Sequence, residues 1–347
     1  MNVVNDAVPV SLNPKPPVLL DVVGIGSPLL DVVSRSDDAL LERLGLPKGS
    51  MTLVDRDAAE AIHASMGTTI QVSGGSAANT VAGVASLGGS AGFVGRIADD
   101  EIGALFSHDI SAIGVEFEAA IVPSTHEGSG RCLVIVTEDA QRTMATHLGV
   151  ANGFALEDLD QGIIERAQIT YLEGYLFDQA PAKEAMRAAV RVAHDGYGSV
   201  ALSLSDSFCV DRHRSDFLTL IEEDVELLFA NEDEIRGLFG ATTTKAALEA
   251  LDDLGIVAAI TLGEKGCVVV TPSGRVEVPA VSVAEVIDTN GAGDLFAAGF
   301  LYGMTHNYEP VRSAELGALC ASEVISHLGA RPQRDLRELA LNVGLLD

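Results

Sequence analysis

Basic residues are scarce in this sequence. Against 50 Asp and Glu stand 22 Lys and Arg, a formal charge of −28. Such a surface repels polyphosphate backbones and anionic membranes unless a local basic patch overrides the total, and the sequence has no such patch. A small anion can still bind where backbone N–H groups converge. Long apolar runs are missing too, and none approaches the roughly 18 residues that a membrane span needs. The opening stretch "MNVVNDAVPVSLNPKPP" lacks the basic and apolar regions of a secretory signal, and its prolines mark residues 1–17 as a flexible arm. The 4 cysteines, Cys132, Cys209, Cys267 and Cys320, form no C-x-x-C pair, so a reducing, cytoplasmic setting is expected. The histidines lack metal-ligand spacing such as H-E-x-x-H. No P-loop of the form G-x-x-x-x-G-K-[ST] occurs. A dinucleotide fingerprint starting at Gly24 would need glycine where Leu29 stands, which argues against a Rossmann dehydrogenase.

The 347 residues suffice for two units, or for one large α/β domain carrying an insertion, at a prior of about 150 residues per domain. Short β-rich runs at Val18–Gly26, Ser90–Ile97, Ala167–Gly174, Gly198–Ser205, Val225–Asn231 and Ile256–Gly263 alternate with stretches of helical period. Examples of the latter are Ser76–Leu87, Pro181–His194 and Phe208–Glu222. This rhythm predicts a doubly wound, mostly parallel sheet flanked by helices, spanning residues 18–347. It breaks at about 31–74 and 115–148, where pieces such as "SMTLV", "TTIQVS" and "GRCLVIVTED" suggest antiparallel hairpins forming a small β-sheet lid.

The stretch "DTNGAGDLFAAGFLYG", Asp288–Gly303, carries the strongest chemical signal. After a strand-like "VIDT", the small residues Gly291, Ala292 and Gly293 let the backbone turn and aim N–H groups at an anion from a helix start. Asp294 falls in the first turn of that helix, where its carboxylate can accept a proton from an attacking hydroxyl. The same residues would also cap a helix and permit close packing, and spacing alone does not separate the two. The helix dipole favours ionised Asp294 and so weakens it as a base, a handicap that phosphoryl transfer tolerates because positioning and charge dominate it.

A second cluster, "VSGGSAANTVAGVASLGG", places Gly74 and Gly75 where a ligand can approach the backbone. Asn79 offers a donor and an acceptor on the following helix, suited to vicinal hydroxyls. The alternative is a flexible joint entering a helix. "NEDE" sets Asn231 and Glu234 three apart at a helix start, where they can hold a hydrated Mg²⁺ near phosphates or simply cap the helix. "TLGEKG", with Thr261, Gly263 and Gly266, is a tight turn after a strand that can lie along a nucleotide.

In this order the pieces resemble the ribokinase family, the PfkB carbohydrate kinases. The match runs from about Val18 to the C-terminus. "GGSAANTVAGVASLGG…FVGRIADDEIG", "NEDE", "TLGEKG" and "DTNGAGD" are similar to its ordered motifs. The resemblance implies a ribokinase-like fold with a β lid, and ATP with Mg²⁺ as phosphoryl donor, with K⁺ as a further candidate ion. It implies Asp294 as base and Gly291, Ala292 and Gly293 as anion hole. Asn231 and Glu234 would serve the Mg²⁺–phosphate region, Glu234 through water, while Thr261, Gly263 and Gly266 flank the nucleotide. "GSPLLD" and "SDSFCVDRHR" resemble adenosine kinases within the family. That likeness implies Asp31 on ribose hydroxyls, assisted by Ser27, Gly74, Gly75 and Asn79, and Arg142 approaching the phosphates. Ser27 departs from the more usual Asn. The activity so implied is phosphorylation of a nucleoside 5′-hydroxyl, adenosine first. A sugar kinase for ribose, fructose or a related acceptor and a catalytically silent nucleoside or sugar sensor are the alternatives. Expected partners are the small-molecule acceptor alone, without nucleic acid or membrane, for a monomer or homodimer.

Overall fold

Runs rich in β-branched residues and too short for a stable helix fold as strands, and the periodic segments between them cover the resulting sheet. The computed structural model describes residues 20–117, 119–124 and 126–346. The arm read at residues 1–17 lies outside them. Along the chain come β1 (Leu20–Ile25), β2 (Leu29–Arg35), α1 (Asp38–Leu44), β3 (Met51–Leu53), α2 (Arg56–Ser65) and β4 (Ile70–Gly74). Next are α3 (Ser76–Ser86), β5 (Ala91–Val94), β6 (Arg96–Ala98), α4 (Glu101–Ala112), β7 (Glu116–Phe117), β8 (Ala120–Val122), β9 (Gly130–Val136) and β10 (Arg142–His147). The second half holds α5 (Gln161–Glu165), β11 (Ala167–Glu173), α6 (Ala180–Asp195), β12 (Ser199–Ser203), α7 (Ser207–Asp224), β13 (Leu227–Asn231) and α8 (Glu232–Phe239). It closes with α9 (Thr244–Asp252), β14 (Val257–Thr261), β15 (Cys267–Thr271), β16 (Gly274–Val278), α10 (Ala292–Thr305), α11 (Pro310–Val324) and α12 (Leu336–Asn342).

Among the described residues the main sheet has the order β16-β15-β14-β13-β12-β11-β1-β5-β7. Pairing is parallel from β14 to β7 and antiparallel at β14–β15 and β15–β16. Two apolar cores fill its two faces, as a doubly wound sheet requires. One packs Ala185, Val190, Phe217 and Leu251 over the sheet, and the other packs Val81, Val84, Phe300 and Leu316. Ligands of such sheets bind outside the carboxyl ends of the strands. Ser27 follows β1, while Glu173, Asn231 and Thr261 end β11, β13 and β14 at that edge.

Both inserted segments feed a second sheet, β3-β10-β9-β2-β4. Its pairing differs from the hairpins read in the sequence. β2–β4 and β9–β10 are antiparallel, yet β2–β9 and β3–β10, which join the two insertions, are parallel. Hairpins join neighbours in sequence, whereas these pairs link segments about a hundred residues apart, which local spacing does not reveal. Period-two alternation divides the residues between faces. Leu133 and Ile135 pack under α1 and α2 with Leu40, Leu41 and Ile62, while Cys132, Val134 and Val136 turn to the other face with Leu29 and Val33.

Three further local readings are corrected. Ser90–Ile97 is two strands, β5 and β6, which join different sheets on either side of Gly95. "VIDT" is no strand. The Ile287 N–H instead donates to the Ile325 carbonyl at the end of α11, at 2.8 Å. Helix α7 carries a kink at His213, whose φ of −124° is non-helical.

Candidate active site

The N-terminus of α10 is the centre of the site. Gly291 caps it at φ 76°, a left-handed conformation that favours glycine. A Cβ there would lie 2.7 Å from Ala330 Cβ and 2.8 Å from its Cα, so close packing demands glycine as well. Gly293, by contrast, would place a Cβ in open space. The first turn aims its N–H groups and the positive end of the helix dipole toward that space. The Ala292 N–H makes a long contact with the Thr289 carbonyl, 3.3 Å.

Asp294, in the same turn, is held from α3. Ser76 Oγ donates to its Oδ1 at 2.7 Å, and Asn79 Nδ2 donates to its Oδ2 at 2.9 Å. Burial nonetheless pushes the Asp294 carboxyl above the usual carboxylate range, and these hydrogen bonds only offset part of that. Desolvation thus opposes the dipole's weakening of the base that the sequence leads one to expect. Such a carboxylate can take a proton from a hydroxyl placed beside it.

Asp31, in β2, is buried. Desolvation pushes its carboxyl up to about 7, with the neighbouring Asp294 adding to the shift and Arg331 opposing it. The reason for the double glycine is now visible. A Cβ on Gly74 would sit 2.3 Å from Asp31 Cγ, and one on Gly75, at φ 99°, would sit 2.2 Å from the Ser27 carbonyl oxygen. The pair makes room for Asp31 and lets the chain cross the end of β1. Ser27 is buried with an unpartnered hydroxyl. Asn79, read as a contact for acceptor hydroxyls, has its amide engaged at both ends, since Oδ1 accepts from Arg331 Nε at 2.8 Å.

A cavity of about 350 Å³ brings together Ser27, Asp31, Gly75, Asn79, Arg142, Asn231, Glu234, Thr261, Gly263, Gly291, Ala292, Gly293 and Asp294. Its lid side carries Leu29, Met51, Leu53, Cys132, Met144 and Leu148. A second cavity, of about 450 Å³, adjoins it across Thr261, Gly263, Thr289, Ala292, Gly293 and Phe296, and extends along Gly266, Val281, Val286, Ala318, Ala321 and Ile325. Gly263 leaves open space there. Gly266 has a structural duty besides, because at φ 95° its Cβ would lie 2.0 Å from the Val278 carbonyl oxygen. Arg142, on β10, reaches the Thr289 carbonyl with Nη1 at 3.4 Å, and its Nε has no partner.

Asn231 and Glu234 form a capping box. The Asn231 side chain accepts the Asp233 and Glu234 N–H groups at 2.9 Å, and Glu234 Oε2 accepts the Asn231 N–H at 2.9 Å. Burial pushes the Glu234 carboxyl up to about 7. Both of its oxygens are engaged within the box. Among the described residues no cluster of three or more His, Cys, Asp or Glu is arranged to hold a metal. With both Glu234 oxygens accepting from Asn231, this pair can meet an ion through its waters and not as a direct cage.

Sequence reasoning missed Ser76, Glu173 and Arg331. Ser76 lies inside the glycine motif, and a carboxylate ending an apolar strand, as Glu173 does, is itself a signal at this sheet edge. Glu173 accepts the Ala77 N–H at 2.9 Å and the Ser27 N–H at 3.4 Å, and burial pushes its carboxyl up to about 8.

Residues 49–336 match the model for pfkB family carbohydrate kinases. The chain belongs to this family. Similar solved structures include the adenosine kinase of Sinorhizobium meliloti, 43% identical, with a TM-score of 0.91 and coverage of 93% of this chain and 99% of that one. A probable sugar kinase of Rhizobium etli is 40% identical, with a TM-score of 0.91 and coverage of 94% and 99%. The 5-dehydro-2-deoxygluconokinase of Geobacillus kaustophilus is 26% identical over 79% of this chain and 85% of its own. This pfkB kinase has the ribokinase-like α/β fold and is a phosphotransferase with a sugar or nucleoside acceptor. No helix among its described residues is long and apolar enough to cross a membrane.

Proposed function

We propose that this pfkB kinase transfers the γ-phosphoryl group of ATP to the 5′-hydroxyl of a nucleoside, adenosine first. The observation that carries the nucleoside reading is the lid side of the acceptor cavity, where Leu29, Met51, Leu53, Cys132, Met144 and Leu148 form an apolar wall beside Asp31. A free sugar presents hydroxyls all round and leaves such a wall unused. A nucleoside has one polar end and one flat, apolar end, and Met and Leu side chains pack against ring faces. The likeness to the Sinorhizobium enzyme supports adenosine within that class.

In this reading Asp31 accepts hydrogen bonds from the ribose hydroxyls, and the unpartnered Ser27 hydroxyl completes that contact. Asp294 takes the proton of the 5′-hydroxyl. The first turn of α10 at Gly291, Ala292 and Gly293 receives the negative charge of the moving phosphoryl group. Arg142 adds positive charge from the lid. The second cavity takes the base of ATP, beside Thr261, Gly263 and Gly266. Mg²⁺, brought with the nucleotide, would supply charge neutralisation on the phosphates, and Asn231 and Glu234 are the residues that would hold it, through water. The β2–β4, β9 and β10 sheet acts as the lid.

The test is an ATP-consumption panel of adenosine, inosine, guanosine, cytidine, ribose and fructose. Adenosine is expected to give the highest kcat/KM, with 2′-deoxyadenosine clearly poorer, because a site that pairs buried polar groups discriminates against ligands lacking them. Ribose or fructose outrunning every nucleoside would replace this reading with a sugar kinase. Binding without ATP consumption would make the protein a sensor.

A further inference from the structure

The segment Gly329–Arg331, between α11 and α12, braces the site from behind. The Gly329 N–H donates to Asp288 Oδ2 at 2.9 Å, and Ala330 packs where a Gly291 side chain would stand. Arg331 continues into the structure and donates from Nε to Asn79 Oδ1 at 2.8 Å. A guanidinium has only donors, so the Asn79 oxygen must face it. The amide nitrogen is thereby turned to Asp294 Oδ2, at 2.9 Å. Were the amide reversed, its oxygen would meet the Asp294 carboxylate, and two acceptors would repel.

We propose that Arg331 is a positioning residue for phosphoryl transfer: through Asn79 it fixes the direction of the Asp294 carboxylate, and its charge holds that carboxylate ready to take a proton. The inference rests on the reading of Asp294 as the base. Arg331 does not line the acceptor cavity. It faces a separate one, of about 340 Å³, with Val72, Ser73, Asp109 and Pro332, so it acts on the reaction through its neighbours.

The charged groups around it come from several elements. Asp31 on β2, Asp294 on α10 and Asp109 on α4 all attract the guanidinium. Asp109 already accepts from Ser73 Oγ at 2.6 Å. Arg142 also lowers the Asp294 carboxyl, Asp288 raises that of Asp31, and Glu173 and Asp294 repel one another. Arg331 Nη2 is shielded from solvent and unpartnered, so the cation's attraction is spent on these carboxylates and not on one closed ion pair. Burial weakens its hold on the proton, yet a guanidinium stays charged at any pH the enzyme meets.

The experiment compares Arg331→Met, Arg331→Lys and wild type across pH, with ATP, Mg²⁺ and adenosine or the panel's best acceptor. Removing a cation beside a carboxylate raises its pKa. In R331M the base remains but is no longer held in place, so kcat is expected to fall about 10- to 100-fold, less than the roughly 10²–10⁴ lost when the base itself is removed, with a smaller change in KM. The acid limb of its kcat profile is expected to move to higher pH. R331K keeps the charge and loses the fork, so its acid limb is expected to stay near wild type while kcat recovers only in part. Melting temperatures are recorded for all three, and Arg331→Gln replaces R331M if the latter does not fold. A neutral variant with kcat within three-fold of wild type overturns the proposal, as does a loss of kcat with an unmoved acid limb, which marks a merely structural role. Asp294→Asn in the same assay separates the two readings. If D294N stays active the base assignment falls, and if D294N is dead while R331M is unaffected only the role of Arg331 falls.

Discussion

Asn79 and Asp294 stand 215 residues apart in the chain, and the amide of the first donates to the carboxylate of the second at 2.9 Å. Helices α3 and α10 therefore share one carboxylate, so the two glycine-rich motifs line a single pocket.

Asp294→Asn removes the proton acceptor while hardly changing volume. The expected outcome is a fall in kcat of roughly 10²–10⁴, the worth of a positioned base, with acceptor binding nearly unchanged. Steady-state kinetics together with calorimetric acceptor titration checks this. A variant that kept more than about half of the wild-type kcat would contradict the assignment.

Gly74→Ala tests the room made for Asp31. The added methyl would land 2.3 Å from Asp31 Cγ, so the carboxylate must swing away from its place in the acceptor cavity. Acceptor KM should rise at least about ten-fold, the loss of a charge-assisted hydrogen bond, while KM for ATP stays close to wild type. Equal rises in both constants would instead point to general disorder of the site.

Glu173 links the site to pH-dependent stability. Its carboxyl has a value of about 8 in the folded chain against an ordinary 4.5. Between those values the folded state binds more protons than the unfolded one, so stability from this group is present below about pH 4.5 and is lost as pH rises through about 8. Glutamine does not titrate. The melting temperature of wild type relative to Glu173→Gln should accordingly decline from pH 5 to pH 9 in a thermal scan series. A difference that stays constant over that interval would rule out a buried, proton-binding Glu173.

Much of the framework was legible because periodicity reports burial. The alternation of apolar runs and helical segments placed β11 to β14 and α3, α6 and α7 within a residue or two of their observed ends. Asp294, Gly291 and the Asn231–Glu234 pair were legible because each lies in a local motif. What escaped were relations between distant segments. The parallel β2–β9 pairing and the Arg331–Asn79 bond, which spans 252 residues, leave no trace in local spacing. "VIDT" misled for a related reason. Its β-branched residues satisfy a strand pattern, yet the partner that folding supplies is the end of α11.

Thr289 lies two residues before Gly291 and is held by the lid. Its hydroxyl donates to the Ala140 carbonyl at 3.1 Å, and its own carbonyl accepts from Arg142 at 3.4 Å. The cover and the cradle thus share one strut. In the proposed mechanism, lifting the sheet would break both of these contacts, so the turn assigned to the phosphoryl charge would be fully braced only with the cover down and bulk water, the competing acceptor in a futile hydrolysis, shut out.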